Sequence, residues 1–404
     1  MPSTSRQQQR VAHVHRIPQS SPDDISGLEA LVQAGKIHVN SIVAILGKTE
    51  GNGCVNDFTR AFAVQSLQLW LGRHVPEKVA IHKVCLVMLG GTEGGISPHL
   101  IVMEVRQDND GDEATAIATT TDEVAPITSK KQKMAAAAAS YTQSLAIGVA
   151  HSPNLPYPDL GRVAQVQMVA STVRIAMAQA GITDPKDVHF VQIKCPLLTA
   201  ARLQECERDG NTTATSDTLK SMKLSRGASA LGVAVALSEF SMDDITNEKI
   251  GQDWSLFSSR ASTSGGVELL NHEVVVLGMS SDWKGPLAVD HAVMKDAIDV
   301  ESIRGALMRL GIVATRQLTL EQQEQVVCLL AKAEASSTGN IRGKRHIMLD
   351  DSDISATRHA RGFVAGVIAS LIGHTELFVS GGAEHQGPDG GGPVAMLVDR
   401  SGGP

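Results

Sequence analysis

The stretch Ser262-Thr263-Ser264-Gly265-Gly266-Val267-Glu268 decides the organisation of the chain, because its pattern S-G-G-x-E occurs again. A second copy stands near the C-terminus as Ser380-Gly381-Gly382-Ala383-Glu384. A degraded copy stands early in the chain as Leu89-Gly90-Gly91-Thr92-Glu93. Glycine pairs are typical of turns. Three copies of one glycine-rich turn in a single chain indicate an internal repeat.

The segments before each copy repeat as well. A helical pattern that ends at a glycine comes first, which is typical of a left-handed helix cap. A short apolar strand that ends at a lysine follows, and an arginine that we expect to open a second helix comes next. The glycine turn and a last apolar strand complete the unit. The glycines are Gly35, Gly181 and Gly311, the lysines are Lys48, Lys194 and Lys332, and the arginines are Arg60, Arg226 and Arg361.

The repeat divides the 404 residues into three units of ordinary domain size. A stretch of different composition, first acidic, then polar, then rich in lysine and alanine, separates the first two units and is predicted to be a linker or surface insertion. The predicted boundaries are 1–106 for the first unit, 107–140 for the insertion, 141–282 for the second unit and 283–404 for the third unit.

Composition excludes several classes of protein. The net charge is −7 with no basic block, and aromatic residues make up 3% of the chain, which argues against nucleic acid as a partner. The five cysteines form an odd set without a CxxC pair, so neither a disulfide framework nor a zinc knuckle is indicated. No apolar run approaches membrane length and the N-terminus is polar, so we expect a cytoplasmic protein that does not enter a membrane.

The three lysines and three arginines favour a shared centre. If the units are arranged with pseudo-threefold symmetry, equivalent residues converge on one axis. A repeat can also serve packing alone, and that alternative stays open. Burying six cations together costs several kcal/mol per ion unless an anionic or strongly accepting group lies among them, so the residue types favour a binding site.

Longer motifs around these residues resemble a known family, the cyanuric acid hydrolases and barbiturases, which open the rings of cyclic amides. The resemblance covers nearly the whole chain apart from the N-terminus and the insertion, and it is closer to the cyanuric acid hydrolases. The motifs are Lys48-Thr49-Glu50-Gly51-Asn52-Gly53-Cys54-Val55-Asn56-Asp57, Lys194-Cys195-Pro196-Leu197-Leu198-Thr199, Ser225-Arg226-Gly227-Ala228-Ser229-Ala230-Leu231-Gly232 and Ser380-Gly381-Gly382-Ala383-Glu384-His385-Gln386-Gly387-Pro388.

The resemblance implies an α+β fold of three chorismate-mutase-like units around a central β-barrel, with helices outside. It implies hydrolytic opening of cyanuric acid to carboxybiuret, which loses carbon dioxide to give biuret. It implies no organic cofactor, a structural divalent cation (Mg²⁺ or Ca²⁺) and a homotetramer. Barbiturase activity and a non-catalytic binder of planar imides remain as alternative functions.

The same resemblance implies the roles of individual residues. Lys194 and Ser264 would form the catalytic pair, with the serine as nucleophile and the neutral lysine as its base. Burial and neighbouring cations lower the pKa of a lysine, which favours that neutral form. The substrate would contact Lys48, Arg60, Gly90, Arg226, Ser264, Gly265, Lys332, Arg361, Ser380 and Gly381. The cation would be held by Glu334 and by carbonyl groups of Ala383, Gln386, Gly387, Pro388 and Gly391.

One position departs from the family pattern. Where the first unit of the family has a serine before its glycine pair, this chain has Leu89. Lys48 therefore lacks its expected hydroxyl partner. If the second unit is catalytic, we expect activity to survive this change.

Four other signals have less specific explanations. Gly47-Lys48-Thr49 lacks the first glycine of a phosphate-binding loop, because Ile42 stands there. His13 and His15 have the spacing found in metal-dependent amidohydrolases, but we expect two ordinary surface or core histidines. Asp108, Asp110 and Asp112 are followed by Glu113 where a calcium loop needs glycine, so we expect a solvated loop. We expect a structural hydrogen-bonding role for His385.

Overall fold

The structure is a computed structural model that describes residues 9–75, 83–107 and 142–402. The helices in chain order are α1 (Ser26–Gln33), α2 (Phe58–His74), α3 (Val163–Ala180), α4 (Ala200–Arg208), α5 (Thr218–Ala236), α6 (Val300–Arg309), α7 (Leu320–Gln325) and α8 (Ala356–Ile372). The strands are β1 (Arg10–Pro18), β2 (Ile42–Thr49), β3 (Cys85–Gly90), β4 (His99–Gln107), β5 (Ser144–His151), β6 (Val188–Pro196), β7 (Ala261–Gly266), β8 (Glu273–Ser280), β9 (Trp283–Lys284), β10 (Leu287–Met294), β11 (Val326–Ala333), β12 (Asn340–Ile341), β13 (Lys344–Arg345), β14 (Phe378–Gly381) and β15 (Gly392–Asp399).

One strand order recurs in three sheets. The strand with the glycine motif lies at an edge and pairs in parallel with the strand that carries the lysine. The lysine strand pairs antiparallel with the last strand of the unit, which pairs antiparallel with the first. The sheets are β3-β2-β4-β1, β7-β6-β8-β5 and β14-β11-β15-β10, with β9 added in parallel beside β1 in the first sheet. The expected mixture of helices and sheets is therefore present.

The helix ends follow the sequence pattern. The helical pattern before Gly181 is the helix α3, and Gly181 caps its end with φ of 69°. Gly35 and Gly311 follow α1 and α6 with φ of 68° and 91°. Only a residue without a Cβ adopts this left-handed region at little cost, so the glycines after the helical patterns mark the chain reversals.

Two local expectations were wrong. The glycine motifs are the ends of edge strands, since Ser264 and Gly265 lie inside β7 and Ser380 lies inside β14. The arginines lie within their helices instead of opening them. Arg226 is deep in α5, which begins at Thr218 with Asp217 as its N-cap. The side chain of an N-cap residue accepts a hydrogen bond from an N–H group of the first turn that has no partner within the helix. Asp217 therefore sets the start of the helix.

The largest apolar core joins the three sheets. It contains Leu46 of β2, Ile193 of β6 and Leu330 of β11, all fully buried or nearly so. Helices cover the sheets from the outside, as α3 packs on β5 and β8. The strand pairs of the described residues form separate sheets, and no closed barrel is found among them. No helix in the described ranges is long and apolar enough to cross a bilayer.

Candidate active site

The sheet register places each lysine beside a glycine motif. Lys194 is paired with Ser264 across β6 and β7, and Lys332 is paired with Ser380 across β11 and β14. In the first sheet, Lys48 is paired with Leu89. Paired residues of parallel neighbours place their side chains on the same face, so each lysine shares a face with the residue before the glycine pair.

One cleft collects residues of all three units. Its wall repeats three residue types, namely an arginine, a glycine and the residue before that glycine. The repeating lining residues are Arg60, Arg226, Arg361, Gly90, Gly265, Gly381, Leu89, Ser264 and Ser380, and Gly53 and Met222 complete the lining. The residues singled out in the sequence are thus brought together, with the lysines behind them.

Each buried lysine reaches into the glycine strand of another unit. Lys48 Nζ donates to Val379 O at 2.7 Å, Lys194 Nζ to Met88 O at 2.5 Å and Lys332 Nζ to Thr263 O at 2.9 Å. All three accepting carbonyls belong to the residue two positions before a glycine pair. The lysine side chains therefore hold the edges of the three glycine strands together from behind the lining of the cleft.

The arginines cross between units in the opposite direction. Arg226 donates to both carboxylate oxygens of Glu384, at 2.8 and 2.7 Å. Arg361 donates to both carboxylate oxygens of Glu93. These glutamates are the last residues of the S-G-G-x-E motifs, and a bidentate pair fixes the plane of the guanidinium group.

The second unit breaks this pattern. Its motif glutamate, Glu268, lies 3.0 Å from Lys194 Nζ instead of pairing with an arginine. Arg60 donates to Gly265 O at 2.8 Å, and its nearest carboxylate is Asp57 at 3.7 Å. Among the described residues, the hydroxyl of Ser264 has no hydrogen-bond partner. The second unit alone therefore combines a free buried hydroxyl with a lysine–carboxylate pair.

Burial controls the charges of the three lysines. It lowers the pKa of Lys194, an effect that Glu268 opposes and Arg60 reinforces. Burial, together with Arg226, lowers the pKa of Lys332 to about 7, and burial with Arg361 lowers that of Lys48 well below its usual value. A cation in low dielectric loses its proton more readily. Burial at this site thus disfavours the charged form of all three lysines.

Glu268 is held as an anion by its surroundings. Burial alone would raise its pKa, but Lys194 and Arg60 together hold the pKa below its usual value. The carboxylate in turn makes the protonated form of Lys194 more favourable. It therefore sets how readily this lysine can act as a base.

The third lysine pair differs from the second. Lys332 Nζ donates to Ser380 Oγ at 3.0 Å, whereas Lys194 makes no hydrogen bond to Ser264 within the described ranges. Leu89 is 3% exposed and gives Lys48 no hydroxyl, so among the described residues of its own unit Lys48 Nζ keeps only the contact to Gly90 O at 3.2 Å that Lys332 Nζ also makes to Gly381 O. The three walls of the cleft are therefore chemically distinct despite their common register.

Sequence reasoning missed several residues of the cleft. Glu93, Glu268 and Glu384 were quoted as part of the repeat, but no partner was assigned to them. Their recurrence at the same position of each motif was the available signal. Asp57 caps α2 and accepts from Gly53 N at 2.8 Å, and no periodic pattern pointed to this contact or to Met222.

The proposed cation site forms a tight loop after the third motif. Glu334 accepts from Ala335 N at 3.1 Å and Ala383 N at 3.0 Å. Burial and the neighbouring carboxylate of Glu384 raise the pKa of Glu334. Gly387 has φ of 91°, and a Cβ on Gly391 would lie 2.0 Å from Met294 O. The loop therefore lies beside two buried carboxylates in a space that tolerates no side chain at two positions, and the Ala383 and Pro388 carbonyls accept hydrogen bonds from Gln386 N and Gly391 N.

The histidines agree with the structural roles expected for them. His385 Nδ1 contacts Leu256 O at 2.5 Å, and Nε2 accepts from Gly251 N at 2.7 Å. His15 contacts Glu104 at 3.1 Å on β1. The acidic stretch that begins at Asp108 lies outside the described residues.

Sequence comparisons identify a family and several relatives of this chain. A family described as amidohydrolase ring-opening protein matches residues 13–399. A cyanuric acid amidohydrolase of Bradyrhizobium sp. (strain ORS 375) is 55% identical over 401 residues, which is 99% of this chain and 100% of the relative. One of Azorhizobium caulinodans is 56% identical over 391 residues, covering 97% of this chain and 99% of the relative.

Two solved structures are similar over the whole chain. The crystal structure of the hydrolase from A. caulinodans has a TM-score of 0.84 at 55% identity and covers 96% of this chain and 99% of its own. A second cyanuric acid hydrolase structure has a TM-score of 0.85 at 42% identity and covers 97% and 100%. On the extent of these matches, together with the cleft built from three glycine strands, the chain belongs to the family of ring-opening amidohydrolases.

Proposed function

We propose that the chain opens the ring of cyanuric acid by hydrolysis, with Ser264 as nucleophile and Lys194 as base. The observation that supports this most directly is the convergence of three arginines and three glycine strands on one cleft. Cyanuric acid is a flat ring with three carbonyl and three N–H groups in alternation. A wall of donors and acceptors repeated three times suits such a ring.

The first chemical step would use the asymmetry of the second unit. Ser264 Oγ attacks one ring carbonyl carbon, and its proton passes to the neutral amine of Lys194. The ring C–N bond then breaks, and the protonated lysine returns the proton to the departing nitrogen. Backbone N–H groups of the glycine strands would stabilise the oxyanion, each contributing roughly 3 kcal/mol.

The second step would release the product. Water attacks the ester carbon that joins Ser264 to the opened ring, and Lys194 accepts a proton from the water. The bond to Ser264 Oγ then breaks, Lys194 returns the proton to this oxygen, and carboxybiuret leaves. Loss of carbon dioxide from this carbamate gives biuret. Arg226 and Arg361, oriented by their glutamates, would hold the ring carbonyls, and Lys48 and Lys332 would complete the polar wall.

A structural divalent cation would fit the loop after the third motif. The available donors there are the Glu334 carboxylate and carbonyl groups of Ala383, Gln386, Gly387, Pro388 and Gly391. Such a set of oxygens is typical of Mg²⁺ or Ca²⁺. Bound there, the cation would offset the charge of Glu334 and fix the loop that carries Glu384. We expect chelation to lower the thermal midpoint of the wild type but not that of Glu334→Gln.

The pseudo-threefold barrel and the homotetramer belong to the same proposal. Three sheets with one strand order, joined by one apolar core, support an arrangement around a common axis. The oligomer is checked by the mass of the purified protein in solution. A location in the cytoplasm agrees with the chemistry of a reduced, cysteine-containing enzyme.

The deciding experiment measures biuret and carbon dioxide formed from cyanuric acid by purified protein, with barbituric acid in a parallel assay. We expect turnover of cyanuric acid, and a loss of at least about 10⁴-fold in kcat for Ser264→Ala and for Lys194→Ala. Ser380→Ala is the matched control and should lose much less. Near-normal activity of Ser264→Ala, with loss in Ser380→Ala, would assign the chemistry to the third unit instead.

Two other outcomes decide between the alternative functions. Faster turnover of barbituric acid would identify a barbiturase. Binding of cyanuric acid in a calorimeter without any product would identify a binder, for which Leu89 at the first wall would be the reason. Turnover that is abolished by changing His13 or His15 would favour a metal-dependent amidohydrolase.

A further inference from the structure

Three side chains with metal-binding atoms meet at the junction of the first and second units. Cys85 begins β3, His151 ends β5 and Glu273 begins β8. One ligand atom of each residue lies within 4.8 Å of the others. None of the three belongs to the lining of the catalytic cleft.

We propose that Cys85, His151 and Glu273 bind a borderline-soft divalent cation, with Zn²⁺ as the fitting ion. Thiolate, imidazole and carboxylate are the three ligand types that zinc uses in proteins. At ordinary zinc–ligand distances, atoms around a tetrahedral ion lie about 3.4–3.6 Å apart. Cys85 Sγ and His151 Nε2 are 3.7 Å apart, close to this separation, and the other ligand atoms would have to approach from separations of at most 4.8 Å.

The sheet register holds two of the ligands in place. His151 and Glu273 are directly opposite in the antiparallel pair of β5 and β8, so their side chains project from the same face. Cys85 is brought to them by β3, whose contact with β8 places its thiol 3.7 Å from Val274 O. The three ligands thus come from rigid strands and not from loops.

An outer contact orients the carboxylate. Leu86 N donates a hydrogen bond to Glu273 Oε2 at 2.6 Å. Outer hydrogen bonds of this kind fix the direction of a metal-binding group. Cys85 is fully buried, whereas His151 and Glu273 are half-buried, so an ion can enter from the side of the histidine and carboxylate. Three protein ligands leave a fourth position for water.

A second cluster of similar composition lacks this character. His189, Asp290 and His291 also bring their ligand atoms together. Asp290 Oδ2, however, accepts a hydrogen bond from Arg309 Nε at 2.6 Å, so this carboxylate is already paired with a guanidinium group. Within residues 9–75, 83–107 and 142–402, no arginine is bonded to the Glu273 carboxylate. Lys194 is paired with Glu273 across β6 and β8, but it lies 3.0 Å from Glu268, which balances its charge.

Occupancy of the site would join the first unit to the second beside the strand that carries Lys194. Ligands from β3, β5 and β8 would then be held by one ion in addition to the apolar core. A metal bound to the folded state stabilises that state. We therefore expect the midpoint of urea unfolding to rise when Zn²⁺ is added to metal-free protein.

The test is titration of metal-free, full-length protein with Co²⁺, whose near-ultraviolet charge-transfer band from thiolate to metal appears only when a thiolate is a ligand. We expect one equivalent of Co²⁺ to produce the band, Zn²⁺ to remove it, and Mg²⁺ or Ca²⁺ to leave it unchanged. Cys85→Ser should abolish the band. Cys328→Ser is the matched control, because Cys328 is equally buried in the same core and should leave the band intact.

Two further variants keep the test decisive if Cys85→Ser fails to fold. His151→Gln and Glu273→Gln keep the thiol, and each should weaken Co²⁺ binding by more than about 100-fold, since even an outer contact is worth 10–100-fold. Absence of the band in wild-type protein would overturn the proposal. So would a band that persists in Cys85→Ser or is unaffected in both other variants. These readouts do not depend on turnover of cyanuric acid.

Discussion

Glutamine in place of Glu384 tests whether buried ion pairs hold the arginines of the cleft. The Glu384 carboxylate accepts both hydrogen bonds of Arg226, at 2.8 and 2.7 Å, and the two residues are 6% and 4% exposed. Removing one partner of a buried pair typically destabilises a protein by about 3–5 kcal/mol, because the remaining charge lacks a counter-ion. Glutamine keeps one acceptor oxygen, so we expect the lower end, about 3 kcal/mol.

The assay is urea unfolding followed by circular dichroism, with an exposed ion pair as the control. Arg345 and Asp350 are 2.8 Å apart, and their side chains are 71% and 60% exposed. Because water and salt screen such a pair, Asp350→Asn should change the free energy of unfolding by less than about 1 kcal/mol. The contrast between the two variants measures the effect of burial on pairs of similar length.

A double variant separates stability from function. Arg226→Met combined with Glu384→Met replaces the pair by apolar side chains, which is often neutral or stabilising for a buried pair. We expect this variant to recover the stability lost in Glu384→Gln but to bind cyanuric acid poorly. A loss below about 1 kcal/mol in Glu384→Gln, or an equal loss in Asp350→Asn, would refute the reasoning.

Three further changes have expected outcomes. Glu268→Gln removes the carboxylate that favours the charged form of Lys194, so the pKa of Lys194 falls. The acid limb of the profile of kcat/KM against pH should therefore move to lower pH. An unmoved limb would contradict the role of Lys194 as base. Gly91→Ala should weaken binding of cyanuric acid in a calorimeter, because its Cβ would lie 2.2 Å from Arg361 Cζ and φ is 95°. Lys332 has its pKa lowered to about 7 in the folded state, so the unfolded chain binds more protons above that pH and stability rises from about pH 7 towards the ordinary pKa of lysine. Lys332→Met should reduce this rise in urea titrations, and the lowered pKa values of Lys48 and Lys194 should preserve the remainder.

Two matched variants serve as controls for these changes. Glu93→Gln removes a motif glutamate that pairs with Arg361 and not with a lysine, so it should alter substrate affinity without moving the acid limb. Gly35→Ala changes a glycine with φ of 68° that has no atom within 4 Å of the added Cβ. It should reduce stability by about 1 kcal/mol and leave binding unchanged.

Much of the site could be predicted because its residues belong to a sequence pattern that is repeated three times in the chain. Lys194 is the second-unit counterpart of Lys48 and Lys332, and Ser264 is the counterpart of Ser380, so the repeat identified both positions. Apolar runs ending at lysine predicted β2, β6 and β11, since strands buried on both faces need no alternation. Glycines past the helical patterns predicted the helix ends.

Contacts between units could not be predicted from spacing. Nothing in the sequence distance between Lys194 and Met88 shows that the lysine reaches the strand of another unit, because such a contact depends on how three sheets pack. The partners of the glutamates are hidden for the same reason. Cys85, His151 and Glu273 are far apart in the chain and form no CxxC-like pattern, so only the fold brings them together.

The crossed contacts between units have a consequence for how this enzyme can be divided or changed. Each boundary is spanned twice in opposite senses, as when Lys332 reaches Thr263 while Arg226 reaches Glu384. No single unit contains a complete wall of the cleft. A unit expressed by itself would therefore carry hydrogen-bond donors without their acceptors. Three separately expressed units could form the cleft again only by assembling in one cyclic order, because each boundary requires one particular pair of units.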